Sequence, residues 1–308
     1  MSGSFEDLRT ASVNGASLAY REEGKGEPVL FVHGSGGDLR TWAGQMPAVG
    51  EDYRAIAYSR RFARPNADID PHIDDQMLPH VDDLVAFLRD IEVPTTHLVG
   101  HSWGGFIALL VAIQHPEVVR SLVLMEPPVL PLLVSTPPRP SEILRLFLAR
   151  PATAVAIVKF GATAFGPAQQ AFRRGDNEAG LRAFARGVLG KANFAHQSEA
   201  TIEQLRDNVS AVRAQLLGAG FPSLDDNAVR GVRAPVLLVV GAQSPAFFRR
   251  LSDRLQELLR DATRTEIAEA SHLMHVDNAP AFNGALLGFL KSHASEEIIQ
   301  ALRNSAPG

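Results

Sequence analysis

One serine of the sequence lies midway between two glycines, in the G-x-S-x-G spacing of Gly100, Ser102 and Gly104. An apolar run ends at Val99, and the residues after Gly105 suit a buried helix, so the segment predicts a strand that turns sharply into a helix. Glycines permit the close backbone packing of such a turn, called a nucleophile elbow, which presents its serine to a cleft. We therefore predict that Ser102 is a nucleophile. The alternative is a glycine-rich turn in which the serine only caps a helix.

A second glycine-rich loop follows a predicted strand over residues 28–32 and has the sequence HGSGGD at residues 33–38. Glycine lets backbone N–H groups approach a ligand closely, which the binding of a developing oxyanion requires. We expect the oxyanion hole to be formed by the N–H groups of Ser35 and Trp103, with Gly34 and Gly36 beside them. A flexible surface loop is the alternative interpretation.

The composition is that of an ordinary globular protein, with 308 residues, 45% of them hydrophobic, and a formal net charge of −4. Scattered Lys and Arg residues provide no basic face for nucleic acid or for an anionic membrane. Because the sequence has no cysteine, it has no disulfide, no thiolate nucleophile and no cysteine-based metal site. The first residues lack the pattern of a signal peptide, and no apolar run has the length of a membrane span. We expect a soluble, cytoplasmic protein.

Strands and helices alternate along most of the chain, which is typical of a mostly parallel sheet covered by helices on both faces. A turn signal at Asn14-Gly15 predicts a hairpin within residues 12–23. Further strands are predicted over 28–32, 53–58, 95–99, 120–125, 235–240 and 265–268, and helices over 42–49, 76–90, 106–113, 244–259, 281–290 and 296–303.

The pattern changes between the strands predicted over 120–125 and 235–240. Six prolines lie between residues 127 and 140, which predicts a stiff connector without regular structure. The pattern is helical from 141 to 227, with breaks predicted at Gly161, Gly166 and Gly190. We therefore expect a helical insert over 131–228 that divides a core domain into residues 1–130 and 229–308.

Three segments resemble the α/β-hydrolase fold in their order and spacing, over nearly the whole chain. They are HGSGGD, GHSWGG at residues 100–105 and ASHLMH at residues 270–275. The resemblance implies an eight-stranded, mostly parallel sheet, a helical cap after the sixth strand and an active site at the carboxyl ends of the strands. In this family the base is the histidine after the last strand, which is His272 here. His275, three residues further on, is the only other nearby candidate for the base.

The catalytic acid departs from the commonest pattern of this family. Many members have Asp a few residues after the seventh strand, where this chain has Ser244, and no acidic residue occurs between positions 236 and 251. The family also uses the position directly after the sixth strand, which Glu126 occupies. A carboxylate there would orient the imidazole and stabilise its charged form. The alternative is that Glu126 anchors the connector, and Asp38 and Asp277 are weaker candidates for the acid.

Serine at the elbow, where epoxide hydrolases and dehalogenases of the family have Asp, favours ester chemistry over epoxide and carbon–halogen chemistry. We expect Ser102, His272 and Glu126 to hydrolyse a carboxylic ester or lactone of a mid-sized apolar molecule, with no metal or cofactor. The combination of Glu126 with a G-A-x-x-P motif at residues 241–245, after the seventh strand, resembles the pattern of the zearalenone-type lactone hydrolases. The alternatives are a carbon–carbon bond hydrolase, a cofactor-free haloperoxidase and a slow-turnover ligand receptor.

We assign substrate contacts to Trp103 in the elbow, His33 in the HGSGGD loop and Met125, which precedes Glu126. The expected partner is the small-molecule ester or lactone, and we expect neither nucleic acid nor a membrane. The sequence leaves a homodimer open.

Three arginines, Arg60, Arg61 and Arg64, follow the strand predicted over 53–58. Arginines just past a strand more often hold loop carbonyls and carboxylates in place than bind substrate, and we expect that role here. The alternative is that they line the pocket. His72 and His80 do not have the spacing of metal ligands, and we expect both on the surface.

Overall fold

The predicted strands form one sheet in the computed structural model, which describes Phe5 and residues 7–294. The helix predicted over 296–303 lies outside the described residues. Within them the strands are β1 (Arg9–Val13), β2 (Ala16–Glu23), β3 (Pro28–Val32), β4 (Arg54–Tyr58), β5 (Thr96–His101), β6 (Val119–Met125), β7 (Val236–Gly241) and β8 (Ala262–Ile267). Their order across the sheet is β1-β2-β4-β3-β5-β6-β7-β8.

The sheet is antiparallel at one edge and parallel elsewhere. β1 and β2 pair across a turn at Asn14 and Gly15, whose φ angles of +45° and +75° suit the predicted hairpin. β2 also pairs antiparallel with β4, whereas the pairs from β4 through β3 to β8 are parallel. The carboxyl ends of the parallel strands therefore meet at one edge, and the loops that follow them lie together.

Helices flank the sheet on both faces. In chain order they are α1 (Met46–Gly50), α2 (Met77–Asp90), α3 (Ser102–Gln114), α4 (Pro140–Ala149), α5 (Pro151–Phe160), α6 (Gly166–Arg173), α7 (Asn177–Leu189), α8 (Lys191–Ala195), α9 (Glu199–Asp207), α10 (Val209–Leu217), α11 (Asp226–Arg230), α12 (Ala246–Leu258), α13 (Met274–Asp277) and α14 (Ala279–Ser292). In the part of the chain that the structure describes, none of them combines the length and apolar character needed to cross a lipid bilayer.

Successive side chains of each strand point to opposite faces of the sheet, and each face has its own buried cluster. Leu98 and Leu122 of β5 and β6 pack with α2, α3 and α12 on one face. Val99 and Val123 of the same strands pack with α1 and α14 on the other. The α/β fold class predicted from the alternation of strands and helices is confirmed.

Helices α4 to α11 all lie between β6 and β7, and residues 127–235 are called the helical insert below. A small apolar cluster joins α6, α7 and α10 within it and includes Phe172, Phe184 and Val212. The insert boundaries at residues 131 and 228, which were expected from the sequence, stay a prediction.

The breaks predicted at Gly161 and Gly166 are wrong. The chain continues from α5 through one π-helical segment, Gly161–Phe165, directly into α6, and both glycines have helical dihedral angles. The π-helical segment has a wider turn than an α-helix, and the chain stays helical through it. Gly190 does end a helix, with a φ of +82° that glycine adopts without steric cost.

Leu286 and Leu148 form a matched pair for testing the packing. Leu286 of α14 is 0% exposed, whereas Leu148 of α4 is 81% exposed. We expect Leu286→Ala to lower the free energy of unfolding by about 2–5 kcal/mol, because it leaves a cavity between α14 and the sheet. Leu148→Ala should change it by less than about 0.5 kcal/mol. Urea unfolding followed by tryptophan fluorescence measures both values, and equal losses would contradict the described packing.

Candidate active site

The turn between β5 and α3 presents Ser102. This serine is the first residue of α3 and has a φ of +51°, a left-handed conformation that costs a non-glycine residue about 1–2 kcal/mol. A Cβ at Gly100 would lie 2.6 Å from Gly105 Cα, and one at Gly104 would lie 2.3 Å from the His33 carbonyl oxygen. Both positions therefore require glycine, and α3 can begin directly against the end of β3.

Glu126 follows β6 directly and is fully buried. Its φ of +49° is also left-handed. Its Oε1 accepts a hydrogen bond of 2.9 Å from the Gly241 N–H at the end of β7, and its Oε2 lies 2.6 Å from His272 Nδ1. Burial raises the pKa of Glu126, and the hydrogen bond from the Gly241 N–H opposes that rise. The carboxyl group is thus held between the ends of two neighbouring strands.

The other two candidate acids are engaged elsewhere. Asp277 Oδ2 accepts a hydrogen bond of 2.8 Å from the Ser271 N–H. Asp38 is paired with Arg40, whose Nη2 lies 2.7 Å from its Oδ2. Among the described carboxylates, the one on His272 Nδ1 is that of Glu126.

His272 lies in the loop after β8 and is buried, with its ring stacked on Phe248 at a centroid distance of 3.8 Å. When Nδ1 donates to Glu126, Nε2 is left to accept a proton from Ser102, which lines the same cavity. Burial lowers the pKa of His272 well below its ordinary value, because water no longer stabilises the imidazolium. The imidazole is therefore neutral at pH 7, as a general base must be.

Arg60 holds the HGSGGD loop against the elbow. Its Nε donates to the His33 carbonyl oxygen and its Nη2 to that of Gly34, both at 3.0 Å, and its guanidinium lies 4.5 Å over the Trp103 ring. Gly34 is so close to the elbow that a Cβ would lie 3.1 Å from that of Ser102. The loop thus adjoins the first turn of α3, whose N–H groups have no acceptor within the helix, and this arrangement suits an oxyanion.

The other two arginines also make structural contacts. Arg61 forms two hydrogen bonds of 2.7 Å with the Asp83 carboxylate, and Arg64 pairs with Asp68 at 3.2 Å. The described residues that line the cavity at Ser102 and His272 do not include Arg60, Arg61 or Arg64.

A cavity of about 320 Å³ opens above Ser102 and His272. The core side of its lining includes Ser35 and its neighbouring glycines, Gly34 and Gly36. The insert side is mainly apolar and includes Phe184, Val188, Leu189 and Leu205. The structure thus brings the predicted nucleophile, base and oxyanion loop together around one cavity, with Glu126 behind the base.

The three residues assigned to substrate contact lie beneath this cavity and do not line it among the described residues. Met125 ends β6 and points to a face of the sheet, where it is fully buried against the side of α1 and α14. His33 is fully buried and accepts the Arg60 N–H at Nε2. The Trp103 ring lies under the Arg60 guanidinium and makes an edge-to-face contact with the His80 ring. Adjacency in sequence to the functional loops did not predict where these side chains point.

The surface position predicted for His80 is also wrong. His80 is buried, and its Nε2 lies 2.6 Å from Asp75 Oδ1. It is one turn from Leu84 on the buried face of α2, a position that the helical spacing could have shown. His72 is exposed, as predicted.

The family model for the alpha/beta hydrolase fold matches residues 27–279. The chain belongs to this family. RutD of Yersinia enterocolitica, which is named a provisional carbamate hydrolase, is 26% identical over 262 residues, 85% of this chain and 86% of that protein. The 2-hydroxymuconate semialdehyde hydrolase of Pseudomonas sp. strain CF600 is 39% identical over 123 residues, 36% of this chain and 40% of that protein. A thermophilic esterase from Thermogutta terrifontis superposes with a TM-score of 0.71 at 17% identity, over 94% of this chain and 100% of that one.

In this alpha/beta hydrolase, one set of contacts joins the helical insert to Asp38 of the HGSGGD loop. The buried Asp38 carboxylate accepts hydrogen bonds of 2.8 Å from Gln204 Nε2 and Asn208 Nδ2. Arg40 bridges Asp38 and Asp207, with 2.7 Å to each carboxylate. Asp38 was predicted only as a weak candidate acid, and no local pattern indicated its partners Gln204 on α9 and Asn208 between α9 and α10.

A second set of contacts starts at Ser35. Its hydroxyl donates to Gln215 Oε1 of α10 at 2.6 Å, and Gln215 Nε2 donates to Asp75 Oδ2 at 2.6 Å. Asp75 in turn holds His80 beneath Trp103. The insert is thereby linked to both sides of the predicted oxyanion hole.

The Phe248 ring is expected to keep the pKa of His272 low. In Phe248→Ala, water should reach the imidazole and stabilise its charged form, so the pKa of His272 should rise toward about 6.5. Nitrogen-15 NMR of labelled histidines measures it directly. Phe147→Ala, at an exposed position of α4, is the control and should leave it unchanged. A pKa of His272 at or above 6.5 in the wild type would contradict this account.

Asp38 is expected to hold α9 and α10 in place. Asp38→Ala removes the carboxylate that accepts hydrogen bonds from Arg40, Gln204 and Asn208, which should cost about 1–3 kcal/mol and speed amide hydrogen exchange in α9 and α10. The control is Asp68→Ala, which removes an exposed pair worth less than about 1 kcal/mol. Exchange in α9 and α10 that is no faster in Asp38→Ala than in the control would show that these contacts do not hold the insert.

Proposed function

We propose that the protein is a serine hydrolase that cleaves a carboxylic ester or lactone of a mid-sized apolar molecule through an acyl-enzyme. The observation that carries this proposal is the 2.6 Å contact between Glu126 Oε2 and His272 Nδ1, beside a cavity that Ser102 and His272 line together. A nucleophile, a neutral base and an acid that orients the base are the parts that acyl transfer requires.

The reaction would proceed in two halves. His272 Nε2 takes the proton of the Ser102 hydroxyl as its Oγ attacks the carbonyl carbon, and the oxyanion is stabilised by the N–H groups of Ser35 and Trp103. The intermediate collapses with loss of the alcohol, which receives the proton from His272, and leaves an ester on Ser102. Water, deprotonated by His272, then attacks this ester, and the second intermediate collapses as His272 returns the proton to Ser102 Oγ and the acid is released. Glu126 stabilises the imidazolium in both halves.

The cavity supports a substrate of moderate size. Its volume of about 320 Å³ lies at the small end of ligand sites, and the insert contributes an apolar wall that includes Phe184, Val188 and Leu205. A short acyl chain or small ring fits such a space, and a polymer chain does not.

A carbon–carbon bond hydrolase is the second candidate, because one relative of 39% identity is named a 2-hydroxymuconate semialdehyde hydrolase. That match spans 36% of this chain and 40% of that protein, so it supports this candidate over part of the chain only. Cleavage of a dienone acid by the wild type, with no ester or lactone turned over, would favour this candidate.

Turnover of a panel of aryl esters, medium-chain esters and lactones of increasing ring size tests the proposal. We expect the wild type to hydrolyse members of the panel, Ser102→Ala to abolish turnover, and Glu126→Gln to lower kcat by about 10⁴-fold. Ser12→Ala, at an exposed position of β1, is the control and should keep wild-type rates. Turnover that survives in Ser102→Ala, or a loss of less than about tenfold in Glu126→Gln, would contradict the assigned roles.

A further inference from the structure

Gln215 of α10 joins the helical insert to the HGSGGD loop through both ends of its amide. Its Oε1 accepts a hydrogen bond of 2.6 Å from the Ser35 hydroxyl, and its Nε2 donates one of 2.6 Å to Asp75 Oδ2. Because the amide oxygen can only accept and the nitrogen only donate, these two bonds fix the orientation of the amide. Gln215 is partly buried and is not among the described residues that line the cavity at Ser102 and His272.

The nitrogen end of the amide leads to Trp103. Asp75 Oδ1 lies 2.6 Å from Nε2 of His80, whose ring meets the Trp103 ring edge-on at a centroid distance of 5.0 Å. Asp75 and His80 are both buried, so water does not compete for the bond between them. Ser35 and Trp103 are the residues whose N–H groups are assigned to the oxyanion hole. Gln215 therefore contacts the first directly and is linked to the second through a buried pair.

The insert also packs on the residue next to Ser35. Gly36 has a φ of +72°, and a Cβ there would lie 2.5 Å from Leu205 Cδ2 of α9 and 3.3 Å from Val212 Cγ2 of α10. The loop thus meets the insert at two successive residues, by a hydrogen bond at Ser35 and by close apolar contact at Gly36.

We propose that Gln215 is a positioning residue that holds the Ser35 N–H in the direction that the oxyanion requires. The inference rests on the proposed function and gives the insert a part in it. Because the Ser35 hydroxyl is bonded to Gln215, the donor that Ser35 offers to the oxyanion is its backbone N–H. A donor that is fixed before the reaction needs no reorganisation in the transition state, whereas a misplacement of about 1 Å can lower a rate by about 10²-fold.

Gln215→Leu tests this role, because leucine is similar in size and makes neither hydrogen bond. We expect kcat for an aryl ester to fall by about ten- to a hundredfold, no more than the loss of about 10²–10³-fold that follows removal of an oxyanion donor. KM should change by less than about twofold, because the lost contact serves the transition state and not the bound ester. Gln170→Leu, at an exposed position of α6, is the matched control and should keep both constants.

A double-mutant cycle with Ser35→Ala separates positioning from a general loss of stability. Ser35→Ala breaks the same hydrogen bond from the other side and keeps the backbone N–H, so it tests the bond even where Gln215→Leu does not fold. We expect it also to lower kcat with little change in KM. Most of the Gln215→Leu loss should disappear in the Ser35→Ala background, because both changes act through one bond. A loss that is equally large in that background overturns the positioning role.

Nitrogen-15 relaxation of the Ser35 N–H separates this inference from the proposed function. We expect an order parameter near the value of about 0.85 of a rigid backbone in the wild type and in Gln170→Leu, and a fall toward the flexible range below about 0.6 in Gln215→Leu. If the wild type hydrolyses no ester, the proposed function fails, and the relaxation measurement still decides whether Gln215 holds the loop. An order parameter that Gln215→Leu leaves unchanged, or a variant that raises KM at constant kcat, overturns the inference.

Discussion

The packing of the elbow against β3 is the contact on which the rest of the active site depends. A Cβ at Gly104 would lie 2.3 and 2.4 Å from the carbonyl oxygens of His33 and Val32. Because α3 starts this close to β3, Ser102 and the HGSGGD loop lie side by side at the carboxyl edge of the sheet. The left-handed φ of Ser102 persists because a relaxed turn would move α3 away from β3.

Burial then sets the protonation state of the histidine in this site. His272 is enclosed by Phe248 and held by Glu126, so its neutral form is favoured and its orientation is fixed. The helical insert covers this edge through contacts to Asp38 and Ser35, which lie on the same loop. In such an enclosed site, hydrogen bonds to a developing charge are stronger than in water. The insert therefore matters to the proposed chemistry as well as to the shape of the cavity.

Local patterns were sufficient for the strands, since a run such as residues 236–240 is buried on both faces and leaves an unbroken apolar signal. The G-x-S-x-G turn likewise leaves a local pattern, because its two glycines flank the serine at fixed spacing. The breaks predicted at Gly161 and Gly166 were wrong, because the same glycine can interrupt a helix or continue it. The surface position predicted for His80 was also wrong, although its spacing on α2 indicated the buried face. The contact of Ser35 with a residue 180 positions away has no local signature at all.

The most direct test of the central claim is to trap the covalent intermediate. A slow aryl ester is mixed with the enzyme, the reaction is quenched in acid during turnover, and the peptides are mapped by mass spectrometry. The account predicts one acyl group on the peptide that contains Ser102, and its loss in Ser102→Ala. Consumption of the ester with no adduct on that peptide, or with the adduct on another residue, would contradict it.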